Sequence, residues 1–487
     1  MKRDSGMRLV VAGLMIAVLV LVVIFMVWRP LVTAFQGMRS AATKRSVFAL
    51  PDGPEPAHMR GAPLPSSASA PSEKDFRVQY IAWLNRTIMA HYPVDKDPKG
   101  AAYMRESLDF LGENSEMNPP KEMVTEEETF NLNSVNDPAL LMMIGIAEPV
   151  SQRQRDALDK ATALMPASAY PKFIWFFAAS CADRAQSLAN AGYDDLKVRD
   201  ALCLKYLQLG LNDRSFLPSE MSALRWRFNG NSMKGLLFRR GPEVAEIFEA
   251  SPDVMPWMKD YVQGVRYTDA AWAARGTAVA TNVSQQSWAD FGRYLGMART
   301  CLVNSWRINP HDPAAATEMI KVCMGENEDT DTMRKWFDRA VAADFDFRAA
   351  YSQFEWGLRP RWMGSYAEMN AFGEECSATG RYDTCVPFQR VQIALDISED
   401  AADRGMQFRD ARISGEVLGV IDHYFEEPNP PIPIAFAHTA AAIVAHKVGR
   451  TDEVKRHLAA IDYRPLNTAL FARMVDLRAL ALEAQGQ

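Results

Sequence analysis

Between Trp288 and Gly380 two corners recur at a fixed spacing, and this repeat restricts the fold more than any other feature of the chain. The first corner reads Ser305-Trp-Arg-Ile-Asn-Pro310-His-Asp312-Pro313, the second Trp336-Phe337-Asp-Arg-Ala340-Val-Ala-Ala-Asp344-Phe345-Asp346. Aligned on their ends, Pro310 and Phe345 lie 35 residues apart, Leu302 and Phe337 share a large apolar slot, and Ser305 and Ala340 share a small one. A large residue, then a small one, then a helix-ending residue, repeated about every 34 residues, is the tetratricopeptide pattern. The small residue lets two antiparallel helices approach, and the large one fills the space between hairpins. A single hairpin cannot bury its apolar face, so the pattern requires a stack. The expected fold is all-α: a tetratricopeptide-like solenoid of helical hairpins carrying an N-terminal transmembrane helix.

The run Trp356-Gly-Leu-Arg359-Pro360-Arg361-Trp362-Met-Gly364-Ser365, followed by Glu368, Met369, Phe372, Gly373 and Cys376, resembles a group of bacterial tetratricopeptide-like proteins. These carry a Pro-Lys/Arg-Trp-x-Gly-Ser turn after a helix that ends in Ala-Asp-Pro. The segment Tyr267, Ala271, Trp272, Arg275, Gly276, Val283, Trp288, Phe291 is similar to the stretch preceding that turn. The likeness covers roughly residues 257–395. It departs at Phe345, where that family usually has proline, so this helix end is less firmly set. The resemblance implies the fold and no activity.

The chain has 487 residues, enough for more than one domain, and its 48% apolar and 23% charged composition is that of a protein with a packed core. The net charge of −6 conceals an asymmetry. Residues 1–72 hold eight basic and three acidic residues, a net +5, so the remainder carries −11. An acidic body argues against nucleic acid as a partner.

The sequence divides into an N-terminal tail (1–8), a transmembrane anchor (9–28), a flexible linker (29–72), an N-terminal helical domain (73–256) and the repeat region (257–487). Leu9 to Trp28 is uncharged over twenty residues, which at about 1.5 Å per residue spans a bilayer core. Trp28-Arg29-Pro30 follows instead of a small-x-small cleavage site, which favours a retained anchor over a signal peptide. Basic residues flank it on both sides, leaving orientation undecided by charge. From Ala49 to Ser72 the chain is rich in Pro, Ala and Ser and reads as a tether.

Helix starts are signalled by Asp137-Pro138, Ser151, Asp312-Pro313 and the capping-box spacing Ser365-x-x-Glu368. Pro171–Asn190 and Leu196–Leu209 read as a hairpin around Gly192, and Gly449-Arg-Thr as another hairpin turn. Asn229-Gly230-Asn231 and Arg239-Arg240-Gly241-Pro242 read as loops, with short strands near 228–238 left open. Thr468–Ala484 reads as the closing helix.

Cys181 and Cys203, Cys301 and Cys323, and Cys376 and Cys385 each lie nearly symmetrically about a turn. The expectation is three disulfides, hence an oxidising compartment and a body outside the cytoplasmic membrane, in the bacterial periplasm; six packed thiols are the alternative. No zinc spacing, phosphate loop, G-x-S-x-G or H-E-x-x-H occurs. His438 and His446 share a helix face with His457 further on, but no carboxylate at ligand spacing joins them. The sequence therefore offers no metal, no cofactor and no catalytic residue. Trp356, Arg359, Arg361 and Trp362 are the candidate partner-binding residues, as a cation–π surface; the alternative is that both tryptophans pack the turn. The expected function is a non-enzymatic, membrane-anchored scaffold or assembly protein of the cell envelope that binds a protein or peptide. Oligomeric state is open. The alternatives are a fixed subunit of a larger envelope complex and an enzyme acting on an envelope polymer.

Overall fold

The structure is a computed structural model that describes residues 72–113, 130–148, 151–188, 193–215, 231–401, 406–428, 430–465, 471 and 474–486. Residues Gly53–Gln487 form one compact unit. The described part of it is all-α: eighteen α-helices, with short 3-10 or π turns and no strand among the described residues. They are α1 (Glu73–Leu84), α2 (Pro98–Glu113), α3 (Pro138–Ala147), α4 (Gln152–Leu164), α5 (Lys172–Leu188), α6 (Tyr193–Leu211), α7 (Asn231–Ala250), α8 (Pro256–Arg275) and α9 (Gln285–Ile308). Then follow α10 (Pro313–Gly325), α11 (Thr330–Ala343), α12 (Arg348–Gly357), α13 (Tyr366–Ala378), α14 (Gln389–Asp400), α15 (Ala411–Glu426), α16 (Ile434–Lys447), α17 (Thr451–Ala459) and α18 (Leu477–Gln485).

Helices pack in neighbouring pairs, most extensively α8 with α9, α5 with α6, α3 with α4 and α10 with α11. Contacts to the next helix but one, such as α8 on α10 and α10 on α12, join one pair to the next. The matched corners close α9 and α11, so Pro310 and Phe345 sit in the connections between successive pairs. Leu302 and Phe337 are fully buried, as are Ser305 and Ala340 within 1%. The small side chain at 305 brings α9 against the start of α8, where Ser305 Oγ donates to the Trp257 carbonyl at 2.8 Å. Phe345 holds its corner by burial: the residue is 0% exposed, the Arg381 guanidinium lies 5.0 Å over its ring, and its carbonyl accepts from Tyr351 Oη at 2.7 Å.

The capping signals act as read. Asp137 accepts from the backbone N–H of Ala139 and Leu140, Ser151 from Gln154, Asp312 from Ala314 and Ser365 from Glu368. These satisfy the N–H groups that the first turn of a helix leaves without partners. Two readings are corrected. Residues 239–242 form no loop and 231–238 no strand; α7 runs through both, with a non-helical kink at Arg240 (φ −132°, ψ 33°) just before Pro242. Proline removes a helical hydrogen bond and clashes with the preceding turn, so the helix bends there instead of ending. The expected closing helix is interrupted at Val475 and Asp476: Phe471 and Met474 are helical and α18 begins afresh at Leu477, capped by Asp476, while Thr468 lies outside the described residues.

The three expected disulfides are not formed: all six cysteines are thiols. Equal distance from a turn fixes height along two helices but not which sides face. Cys301 turns toward Asp260 and Arg266 of α8, whereas Cys323 lies by Arg299 and Glu328. Cys203 joins the Asp183–Asp200–Arg239 group. Cys376 lies buried beside Tyr351, and Cys385 Sγ donates to the Pro431 carbonyl at 3.4 Å. Burial pushes the Cys301 thiol up to about 11 and those of Cys203, Cys323 and Cys376 well above the usual range, so they stay protonated and unreactive at neutral pH. Alkylation after unfolding without reductant should modify all six cysteines; a mass increase for fewer would contradict this placement. The cysteine argument for an oxidising compartment falls with the pairing.

The span Leu9–Trp28 and the linker lie outside the described residues. Among those described, no helix is long and apolar enough to cross a membrane.

Gly292 and Gly296 lie on the outer side of α9, where an added Cβ would meet nothing within 4 Å. A mid-helix glycine costs about 0.5–1 kcal/mol against alanine. Gly292→Ala and Gly296→Ala should each stabilise by that amount, read as a rise in the midpoint of urea unfolding.

Candidate functional site

The site grows from the end of α12. The N–H of Leu358 bonds back to Phe354 and Glu355, closing the helix. Pro360 allows no further turn. The chain then folds tightly on itself, with Trp362 N–H to the Arg359 carbonyl at 2.9 Å. Gly364 is pressed against the carbonyl of Leu358, and a Cβ there would lie 2.1 Å from its oxygen. Ser365 caps α13, its hydroxyl accepting from the Glu368 N–H and donating to the Glu368 carboxylate at 3.0 Å. The glycine and serine of the Pro-Arg-Trp-x-Gly-Ser turn thus have separate jobs: one permits the close approach, the other starts the next helix.

Three of the four candidate residues come together. The Arg359 and Arg361 guanidinium groups lie 4.7 and 4.8 Å from the Trp356 ring centre. Trp356 is 38% exposed and Arg361 is exposed, whereas Arg359 is buried. Trp362 goes elsewhere. Its ring meets Trp272 edge-on at 5.5 Å, and Trp272 in turn meets Phe291 at 5.1 Å, which tie the turn to α8 and α9.

The carboxylates that answer the arginines were not singled out in the sequence. Arg359 pairs with Glu355 at 3.1 Å, Asp396 at 3.3 Å and Asp400 at 3.7 Å; Arg361 pairs with Asp400 at 2.6 Å. The available signal was the four-residue spacing of Glu355–Arg359 and of Asp396–Asp400, which puts each pair on one helical face. Nothing local says that α14 lies beside α12's end. Burial, with the charge of Asp396 added, pushes Glu355 up to about 7 against the pull of Arg359; burial raises Asp396 as well. The folded protein therefore holds an extra proton at Glu355 between its ordinary 4.5 and about 7. Its contribution to stability is present at the acidic end of that window and lost as pH rises through it.

The carboxylates converge on a guanidinium that fills the space between them, which suits a structural clamp and not a substrate cleft. Among the described residues no group of three or more His, Cys, Asp or Glu side chains is arranged to hold a metal ion. His438 is paired with His457 and not with His446. The acid clamp fixes Arg359 against the Trp356 ring and leaves Arg361 and part of Trp356 exposed.

Comparison with protein families, curated proteins and solved structures gives no match for this chain.

Proposed function

We propose that the protein is a tetratricopeptide-like solenoid, anchored in the cytoplasmic membrane by Leu9–Trp28, that acts as a scaffold or assembly factor by binding a protein or peptide in the cell envelope. The observation that carries this reading is the half-exposed Trp356 with Arg361 beside it, held rigidly at the corner of a stack of paired helices. Rigid aromatic and arginine side chains contribute disproportionately to binding energy. Stacked hairpins offer continuous surfaces long enough for an extended or helical segment, and the tether would let that surface search near the bilayer. The uncharged twenty-residue span, retained for want of a cleavage signal, supports the anchor; the side on which the body lies rests on the envelope role alone.

The test is photo-crosslinking in cells from a reactive residue at position 356 of the full chain, with the exposed Val198 as control. The expected result is a small set of discrete adducts specific to position 356, recovered in the membrane fraction and abolished by Arg361→Glu. Equal labelling from both positions, or full-length protein in the soluble fraction, would overturn the reading.

A further inference from the structure

α16 and α17 meet across the Gly449 turn, and two imidazoles join them. His438 Nδ1 and His457 Nδ1 lie 3.1 Å apart, and Arg456 Nη2 lies 3.3 Å from His457 Nε2. A guanidinium can only donate, so His457 Nε2 is the acceptor and the proton of that ring sits on Nδ1. That Nδ1–H must then donate to His438, whose Nδ1 is bare and whose own proton is on Nε2. The tautomers are assigned from this chain of bonds. Phe425 of α15 stacks on His438 at 4.2 Å and tilts over His457 at 5.8 Å, and His457 is 3% exposed.

A third proton cannot be accommodated. On His438 Nδ1 it would point at the Nδ1–H of His457; on His457 Nε2 it would point at Arg456. The groups facing the pair are Phe425 from α15 and Arg456 from α17. Among the described residues the charge acting on His438 is that of Arg456, those acting on His457 are Arg456 and His438, and no carboxylate offsets them. Behind the pair lies a small apolar cluster of Ala442, Ala445, Val454, Leu458, Leu480 and Ala484, with Ile461, Tyr463 and Val475 half-buried against it. No α17 residue belongs to the larger core that α14, α15 and α16 share, and α18 gives that core Leu477.

We infer that the His438–His457 pair is an acid-sensitive latch: acidification breaks it and releases α17, with the α18 that packs on it, from a stack that otherwise stays folded. Burial, then the Arg456 charge, hold His457 down to about 4, and burial lowers His438 too. The sign follows. The opened hairpin takes up a proton near the ordinary 6.5, the closed one only near 4, so the latch is fully held above about 6.5 and lost progressively as pH falls toward 4. Between pH 7.5 and 5, His457 alone should raise the open-to-closed ratio about thirtyfold.

Hydrogen exchange of the full chain, corrected for the intrinsic pH dependence of exchange, tests this. Peptides from 448–465 and 474–486 should exchange about thirtyfold faster at pH 5 than at pH 7.5, while those of α8–α14 change far less. In His457→Phe the difference should vanish. Unchanged protection, or the same acceleration in the variant, would overturn the latch. Should the variant fail to fold, histidine C2–H NMR of the unmodified protein decides: both rings taking up protons only well below 6.5, together with loss of amide protection in 448–465, support the latch, and ordinary titration near 6.5 by either His438 or His457, or rings that charge with those amides still protected, refutes it.

Discussion

Arg239→Met should destabilise the protein by about 3–5 kcal/mol, the range for a buried ion pair that loses one partner. The guanidinium joins three helices: from α7 it donates to Asp200 of α6 at 2.6 and 3.1 Å and to Asp183 of α5 at 2.8 Å. Both carboxylates are about 95% buried, and burial already raises Asp183 above its ordinary value despite the arginine. Methionine fills the volume and leaves both carboxylates without the guanidinium that bonds them, with only the more distant charge of Arg199, itself paired with Asp159, acting on Asp183. They would respond by taking up protons, so the deficit should shrink as pH falls from 7 to about 5. Thermal melts across that range check both the size and the slope. A deficit under 1 kcal/mol, or one independent of pH, would mean that the arginine holds nothing together. Adding Asp183→Asn to the variant should restore part of the loss, because it removes one of the stranded charges.

Gly364→Ala is the second large effect. The added methyl would sit 2.1 Å from the Leu358 oxygen, 2.5 Å from its carbonyl carbon and 2.6 Å from its Cα. Backbone atoms cannot rotate away as a side chain would, so the turn must open. Overpacking of this kind costs typically about 1–3 kcal/mol, and backbone contact puts this site at the upper end. The damage should be local and directional. Trp362 would leave Trp272, changing tryptophan fluorescence, and the exposed Arg361 would become a preferred trypsin site between α12 and α13. Wild-type resistance to trypsin at that bond would refute the role given to Gly364.

The two corners were legible because they depend on local rules. Asp312-Pro313 and Ser365-x-x-Glu368 announce helix starts through bonds made within three residues, and the slots of Leu302 and Phe337 recur at a repeat spacing. Arg-Arg-Gly-Pro carries a loop composition, and α7 does leave helical geometry at Arg240; that it then runs on, with Arg239 bonded to two other helices, is something no local rule registers. The cysteine pairing failed for a related reason. Symmetry about a turn encodes height along two helices, while the side that a residue faces depends on the neighbour it packs against. At the candidate site the sequence displayed Trp356, Arg359 and Arg361, yet not Asp396 and Asp400, thirty-seven or more residues beyond Arg359 and brought in by α14. Trp362 could be read as partner-facing because nothing nearby in the chain reveals Trp272, ninety residues earlier, as its neighbour.

Among the described residues, every helix that packs extensively does so on one of the next two described helices. A fold connected in this way need not wait for its far end. Each hairpin finds its mate within a few dozen residues, so little entropy is lost in closing loops before contacts form. The chain is suited to winding up progressively as it leaves a ribosome or a translocation channel, its early pairs serving as the template on which later ones settle.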